Sequence, residues 1–178
     1  MNDDAGALLI HGDKLQLRPF LPGDITTAYL SWLNDPFTMR WSNQRFTRHT
    51  TESCLRYLHS FDSSPNLFLS ISSLTGQALG TMTAYVAPHH RTADMGILIG
   101  ERSVWGQGFG LDAWQTLLRW LLEQRGLRKV TAGTLSCNQA MLRLMNKSGM
   151  HLEGCRRQQE LVDGMAHDIC YFARFGVD

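Results

Sequence analysis

The stretch Trp105-Gly106-Gln107-Gly108-Phe109-Gly110 sets three glycines at alternate positions just ahead of the strongest helix signal in the chain. That helix carries Leu111, Trp114, Leu117, Leu118, Leu121 and Leu122 on one apolar stripe at helical spacing. Gly126 supplies its C-terminal cap. Upstream, Arg91 to Gly100 alternates Met95, Ile97 and Ile99 with other residues and reads as a strand. The glycines therefore occupy a strand-to-helix connection. Lacking Cβ atoms, they let the backbone take positive φ and come close to a ligand. The helix start adds free N–H groups and a partial positive charge. The combination suits a phosphate or pyrophosphate. The loop has no Lys and no GK[ST], so it is not a Walker A loop. Its GxGxG spacing departs from the GxGxxG of a dinucleotide fold, and the following strand ends in Ser136-Cys137-Asn138 without an acid for a ribose. The competing reading is a flexible connection that binds nothing.

The rest of the chain frames this loop. Its 178 residues suit one domain, with the first thirteen read as a loose segment. Leu15 to Phe20 alternates as a strand, and Asp24 is placed to cap a helix carrying Tyr29, Leu30, Trp32 and Leu33. Thr50 is placed to cap a second helix with Cys54, Leu55, Leu58 and Phe61 on its apolar face. Leu67–Leu74, Ala78–Ala87 and the Arg91–Gly100 strand follow at short intervals, which implies an antiparallel meander. Past the long helix come a strand at Val130–Leu135, a helix capped by Asn138 and ended by Gly149, and a hairpin around Asp163-Gly164. The pattern is that of an α/β protein with one mixed sheet.

Composition excludes several classes. Lys+Arg 17 against Asp+Glu 16 lacks the basic excess of a nucleic-acid binder. No apolar run approaches the roughly 18 residues of a membrane span. The acidic start has no cationic region before an apolar stretch, unlike a signal peptide. Cys54, Cys137, Cys155 and Cys170 are spread without a CxxC pair and read as idle thiols in a cytoplasmic protein, with no metal site.

The glycine loop resembles motif A of the GCN5-related N-acetyltransferases, Arg/Gln-x-x-Gly-x-Gly/Ala, with Trp105 at the Arg/Gln position as in the RimJ/RimL-like branch. Leu15 to Phe20 resembles that branch's first strand. Ala93-Asp94-Met95-Gly96-Ile97-Leu98-Ile99 resembles its strand 4, and Asn138-Gln139-Ala140 through Lys147-Ser148-Gly149-Met150 its N-x-x-A/S…K-x-G-F helix. Asp163-Gly164 with His167, Asp168 and Tyr171 resembles its terminal hairpin. Together these motifs cover nearly all of the chain from Leu15.

The resemblance implies a three-layer αβα fold with a mixed, mostly antiparallel central sheet of about seven strands. It implies that acetyl-CoA is a co-substrate and that the acceptor is a primary amine on a small molecule, an amino sugar or a protein N-terminus. The pyrophosphate would lie on Trp105, Gly106, Gln107, Gly108, Phe109 and Gly110, and the pantetheine arm along Leu98 and Ile99 with Asn138 nearby. Asn138 also reads as a plain helix cap. An ammonium has no lone pair, so the amine must lose a proton, and an alkylamine pKa is about 10.4. Asp94 stands where many relatives carry a catalytic Glu, and it also reads as a solvated strand residue. His49, His89 and His90 are other possible bases, and Glu101 reads as structural. At the position of the family's general-acid Tyr stands Met145, leaving Ser148 as the nearby hydroxyl, which also reads as a helix C-terminal residue. Arg40, Trp41, Arg45 and Phe46 lie in the segment that walls the acceptor site in the family, and they suit an acceptor with an anionic part. The expected protein is a monomer or homodimer. A non-catalytic acyl-CoA sensor, and a nucleotide-dependent oxidoreductase resting on the glycine loop alone, are the alternatives.

Overall fold

The computed structural model describes residues 8–176. Eight strands form one sheet: β1 (Ile10–His11), β2 (Leu15–Pro19), β3 (Leu67–Ser73), β4 (Ala78–Ala87), β5 (Thr92–Ile99), β6 (Lys129–Leu135), β7 (His151–Val162) and β8 (Met165–Phe175). Their order is β1-β2-β3-β4-β5-β6-β8-β7. Every neighbouring pair is antiparallel except β5 and β6. The expected sheet had about seven strands. The eighth is β1, which pairs with β2 inside the segment read as loose. Two residues give too short a run for periodicity to register. The remainder of that segment, residues 1–7, lies outside the described residues.

Four helices cover the two faces: α1 (Thr27–Asn34), α2 (Thr51–His59), α3 (Phe109–Arg119) and α4 (Gln139–Lys147). On one face Trp114, Leu117 and Leu118 of α3 and Met145 of α4 pack on Leu15, Leu17, Ile71 and Val130. On the other, Tyr29 and Leu33 of α1 and Cys54 of α2 pack on Phe20 and Phe68. The sandwich therefore has the three expected layers. Among the described residues no helix is long and apolar enough to cross a membrane.

The helix ends follow local chemistry. Thr50 caps α2 by accepting from the Ser53 amide, and Asn138 caps α4 by accepting from the Met141 amide. The α1 cap is Thr26, which accepts from the Tyr29 amide, and not Asp24. Asp24 instead takes a bidentate ion pair from Arg18, both contacts 2.7 Å. The guanidinium fork outcompetes two more residues of helix. Beyond Arg119, α3 loosens into a π-type turn over Trp120–Gln124 before Gly126 turns at φ 64°. Asp163 (φ 50°) and Gly164 (φ 78°) both turn left-handed between β7 and β8. This is the two-residue hairpin turn expected of Asp-Gly.

One feature of the sheet positions the site. β5 and β6 pair only where Thr92–Asp94 meets Lys129–Thr131. Beyond Asp94 they part, while β5 stays paired with β4 as far as Ile99. The result is a fork with Asp94 and Thr131 at its apex.

Candidate active site

The glycine loop sits at the open end of that fork. A short turn, Arg102–Val104, follows β5, and Trp105 leads into the loop. Its indole N–H donates to the Ile99 carbonyl at 2.9 Å. Its ring stacks on Phe37, with centroids 5.9 Å apart. The ring therefore clamps the loop to the end of β5. Gly106 (φ 75°) and Gly108 (φ 87°) both use the left-handed region, where a side chain is strained. Gly110 does not: it lies within α3, and a Cβ there would meet Ile99 and Leu144 at an ordinary 3.6 Å. Gly108 is the N-cap of α3 and offers no side chain to its amides. Among the described residues, the amides of Gly108, Phe109, Gly110 and Leu111 have no acceptor. An uncapped helix start of this kind favours an anion.

A cation stands beside those amides that the sequence reading missed. The Lys14 ammonium donates to the Gln107 carbonyl at 2.8 Å and lies 5.7 Å from the Phe109 ring centre. A Cβ on Gly108 would be 3.5 Å from its Nζ. Asp112, in the first turn of α3, fixes the approach by accepting from the Asp13 and Lys14 amides at 3.1 and 2.8 Å. Gly12 makes room, since a Cβ there would come within 2.8 Å of Asp112. Lys14 is 93 residues from its bonding partner Gln107, so no local pattern could reveal it.

The β5 edge is shaped by two more glycines. A Cβ on Gly80 would lie 1.9 Å from the Leu98 carbonyl oxygen, and one on Gly100 would lie 2.1 Å from the Trp32 ring. Gly80 thus lets the backbone of Leu98 and Ile99 press close to β4. Gly80→Ala is expected to destabilise the fold by about 1–3 kcal/mol through overpacking. It is also expected to weaken CoA binding by displacing Leu98; urea unfolding and a CoA titration of the variant check both effects.

At the apex, the Thr131 hydroxyl donates to Asp94 at 2.7 Å. Asp94 keeps an exposed surface, yet partial desolvation beside the fork pushes its carboxyl pKa up, and the Thr131 hydrogen bond opposes the rise. Asp94 shares its strand face with Gly96 and Leu98 by the two-residue period. Gly96 and Leu98 of that face floor a cavity of about 350 Å3 between the sheet and α1 and α2, and Asp94 lies next along the strand outside its lining. Its walls include Tyr29, Ser42, Gln44, His49, Tyr57 and Thr83. Burial raises the pKa of both Tyr29 and Tyr57. Each hydroxyl therefore stays protonated at neutral pH, and Tyr57 shares a 2.7 Å hydrogen bond with Tyr85. Among the described residues, no carboxylate lines this cavity.

The other sequence candidates divide. Asn138 spends its carbonyl on the Met141 amide and its NH2 on Thr134, so it serves as a cap. Ser148 follows its helix-terminus reading and not the catalytic one: 2% exposed, its hydroxyl donates to the Met145 carbonyl at 2.7 Å. It terminates α4 and has no proton to offer a substrate. Met145 itself is fully buried. Glu101 accepts from Ser103 and is structural, as expected. His89 and His90 lie in a surface turn. His49 lines the cavity and is braced by Asn34, which bonds both its amide and its carbonyl.

Arg40, Trp41, Arg45 and Phe46 do not line this cavity. Arg45 donates to the Ser42 and Leu161 carbonyls, and with Phe46 it borders a shallower outer groove of about 580 Å3. Phe46 is 75% exposed. Arg40 stacks on Phe37 (4.0 Å) and Trp41 (5.0 Å), and its Nε is buried without an acceptor. Arg102 lies over the opposite neighbours, Phe37 and Trp105, and is paired with Asp35. A guanidinium–aromatic stack thus joins the acceptor segment to the glycine loop.

Residues 14–151 match the family described as acetyltransferase (GNAT) domain. The chain belongs to the GNAT acetyltransferase family. No curated protein matches it by sequence. Solved structures share the GNAT fold closely. RimL, the ribosomal L7/L12 alpha-N-protein acetyltransferase in complex with CoA, superposes with a TM-score of 0.82 at 19% identity, covering 95% of this chain and 98% of that one. The Salmonella typhimurium acetyltransferase that modifies the N-terminal serine of L7/L12 gives 0.79 at 21%, covering 96% and 100%. Spermidine N-acetyltransferase from Vibrio cholerae, in complex with CoA and spermine, gives 0.79 at 18%, covering 91% and 95%. GNAT enzymes draw their acetyl group from acetyl-CoA, and the residues present here fit that thioester. The uncapped amides and Lys14 complement a pyrophosphate, and the fork leaves one side of β5 open beyond Asp94. Among the described residues no cluster of three metal-ligating side chains occurs.

Proposed function

We propose that this GNAT domain transfers the acetyl group of acetyl-CoA to a primary amine bound in the 350 Å3 cavity, by direct attack with both substrates in place. The observation that carries this reading is the convergence of the uncapped α3 start, the open edge of β5 and the cavity on one fork in the sheet. Bound acetyl-CoA supplies an activated carbonyl with a thiolate leaving group. The chain's own residues do the rest. The amides of Gly108 to Leu111 and the Lys14 ammonium hold the pyrophosphate, with Trp105 and Gln107 shaping the loop. The Leu98 and Ile99 backbone guides the arm. The cavity strips water from the amine and aligns it, which is a large part of such a rate.

Asp94 is the proposed base. On one strand face it lies about 7 Å along the chain from Gly96, so a single water spans from its carboxylate to an amine over Gly96. With Met145 in the family's Tyr position, the leaving thiolate takes its proton from water. A polycation finds Asp94 as the one nearby carboxylate among the described residues that the reaction uses, while Arg45 and Arg48 border the adjoining outer groove. The acceptor class is therefore an amine attached to an uncharged or anionic body, as in a protein N-terminus or an amino sugar, in keeping with the RimJ/RimL-like branch. Steady-state rates on such amines are expected to exceed those on spermidine at least tenfold in kcat/KM; equal or better use of spermidine overturns this acceptor class.

The Lys14 contact has its own test. Lys14→Gln is expected to raise KM for acetyl-CoA about tenfold, the effect of losing one charged hydrogen bond of about 1.5 kcal/mol. With S-acetyl-pantetheine, which lacks the pyrophosphate, the variant and wild type are expected to match. A variant that behaves like wild type towards both donors removes Lys14 from the site.

A further inference from the structure

The four cysteines are distant in sequence, yet the terminal hairpin brings two of them face to face. Cys155 of β7 and Cys170 of β8 are direct partners in the antiparallel register. Their sulfurs are 3.1 Å apart. Directly opposed residues in such a pair have Cα atoms about 4.5–5.5 Å apart, within the about 4.4–6.8 Å that a disulfide spans. The backbone is thus already in place for a bond. Cys155 is exposed and Cys170 half-buried, whereas Cys54 is buried in the α1–α2 layer. Neither thiol of the pair lines the acceptor cavity or touches the glycine loop, so acetyl transfer gives no reason for their meeting.

We propose that Cys155 and Cys170 form a redox-modification site, which reacts with a low-molecular-weight disulfide and closes to a reversible cross-strand disulfide. The exposed Cys155 thiolate attacks one sulfur of the reagent RS–SR, forming Cys155–S–SR and releasing RS−, which takes up a proton. Cys170, as its thiolate, then attacks Cys155 Sγ. The S–SR bond breaks, the protein disulfide forms, and the second RS− leaves to become RSH. The two cysteines give up two electrons and two protons, and the reagent becomes two thiols. Burial raises the Cys170 thiol to about 11, which fits its place as the second attacker, working at contact distance. The pair lies midway along the hairpin whose tip holds the acceptor segment. There Asn43 donates to Glu160 at 2.9 Å and Arg45 to the Leu161 carbonyl at 3.0 Å.

The test is treatment of the folded full-length protein with glutathione disulfide, followed by intact and peptide mass spectrometry. The expected product is a monomer lighter by two hydrogens, with the Cys155 and Cys170 peptides linked. Dithiothreitol is expected to reverse it, and the oxidised form to melt several degrees higher because the bond restricts the unfolded chain. Cys170→Ser is expected to stop at a glutathione adduct on Cys155, and Cys155→Ser to form no intrachain link. A wild-type protein that stops at the Cys155 adduct, links Cys54 or Cys137 instead, or does not react, overturns the proposal.

Discussion

Gly108→Glu is expected to abolish CoA binding, weakening it at least a hundredfold, while the sheet and its core remain folded. Three effects add. A non-glycine residue at φ 87° is strained by about 1–2 kcal/mol, which the loop can relieve only by moving the α3 amides. The new Cβ would sit 3.5 Å from the Lys14 Nζ, so the carboxylate captures the ammonium proposed for the pyrophosphate. Its negative charge also occupies the partial positive charge of the helix start. Gly110→Ala is the matching control. That Cβ has ordinary 3.6 Å contacts and normal φ, so CoA affinity should change little. Calorimetric titration of both variants reads the difference directly. Equal CoA affinity in Gly108→Glu and wild type would place the pyrophosphate elsewhere.

Asp94→Asn is expected to lower kcat/KM about a hundredfold near pH 7, the usual order for losing a positioned base, with CoA affinity unchanged. The deficit should shrink as pH rises, because an amine acceptor then reaches the site already deprotonated. The sign on stability runs the other way. Partial desolvation raises the folded pKa of Asp94, so folding favours its neutral form. Its contribution is therefore fully present below the unfolded pKa and is lost as pH rises through the folded value. Asparagine keeps an acceptor for the Thr131 hydroxyl and carries no charge to desolvate beside the fork. Stability at pH 7 should thus be equal or higher while activity falls. A variant with the wild-type pH–rate profile would remove Asp94 as the base and leave His49, on the cavity wall, as the next candidate.

Much of this geometry was legible in the sequence because its causes are local. The glycine loop, the apolar stripe of α3, the Thr50 and Asn138 caps and the Asp163-Gly164 turn each depend on residues a few positions apart. The boundaries of β4 follow from its own composition. What escaped depends on residues far apart in the chain. Lys14 reaches Gln107 because Asp112 ties the turn between β1 and β2 to α3. Cys155 meets Cys170 only through the hairpin register. Arg40, Trp41, Arg45 and Phe46 stand out by their chemistry, but the same segment faces the cavity with Ser42, Gln44, Thr47 and His49, alongside tyrosines of α1 and α2 and the sheet. Ser148 looked available beside a missing Tyr, yet the end of α4 consumes its hydroxyl. Asp24 looked like a cap until Arg18, six residues away on the neighbouring strand, claimed it.

The most direct measurement is amine-dependent release of CoA thiol from acetyl-CoA, followed together with the mass of the amine. The expected result is one N-acetylated amine for each CoA released, no acetyl group left on the protein, and loss of both signals in Gly108→Glu. CoA binding without turnover, across acceptors that include peptide N-termini and amino sugars, would contradict catalysis at this fork and leave an acyl-CoA-binding domain in its place.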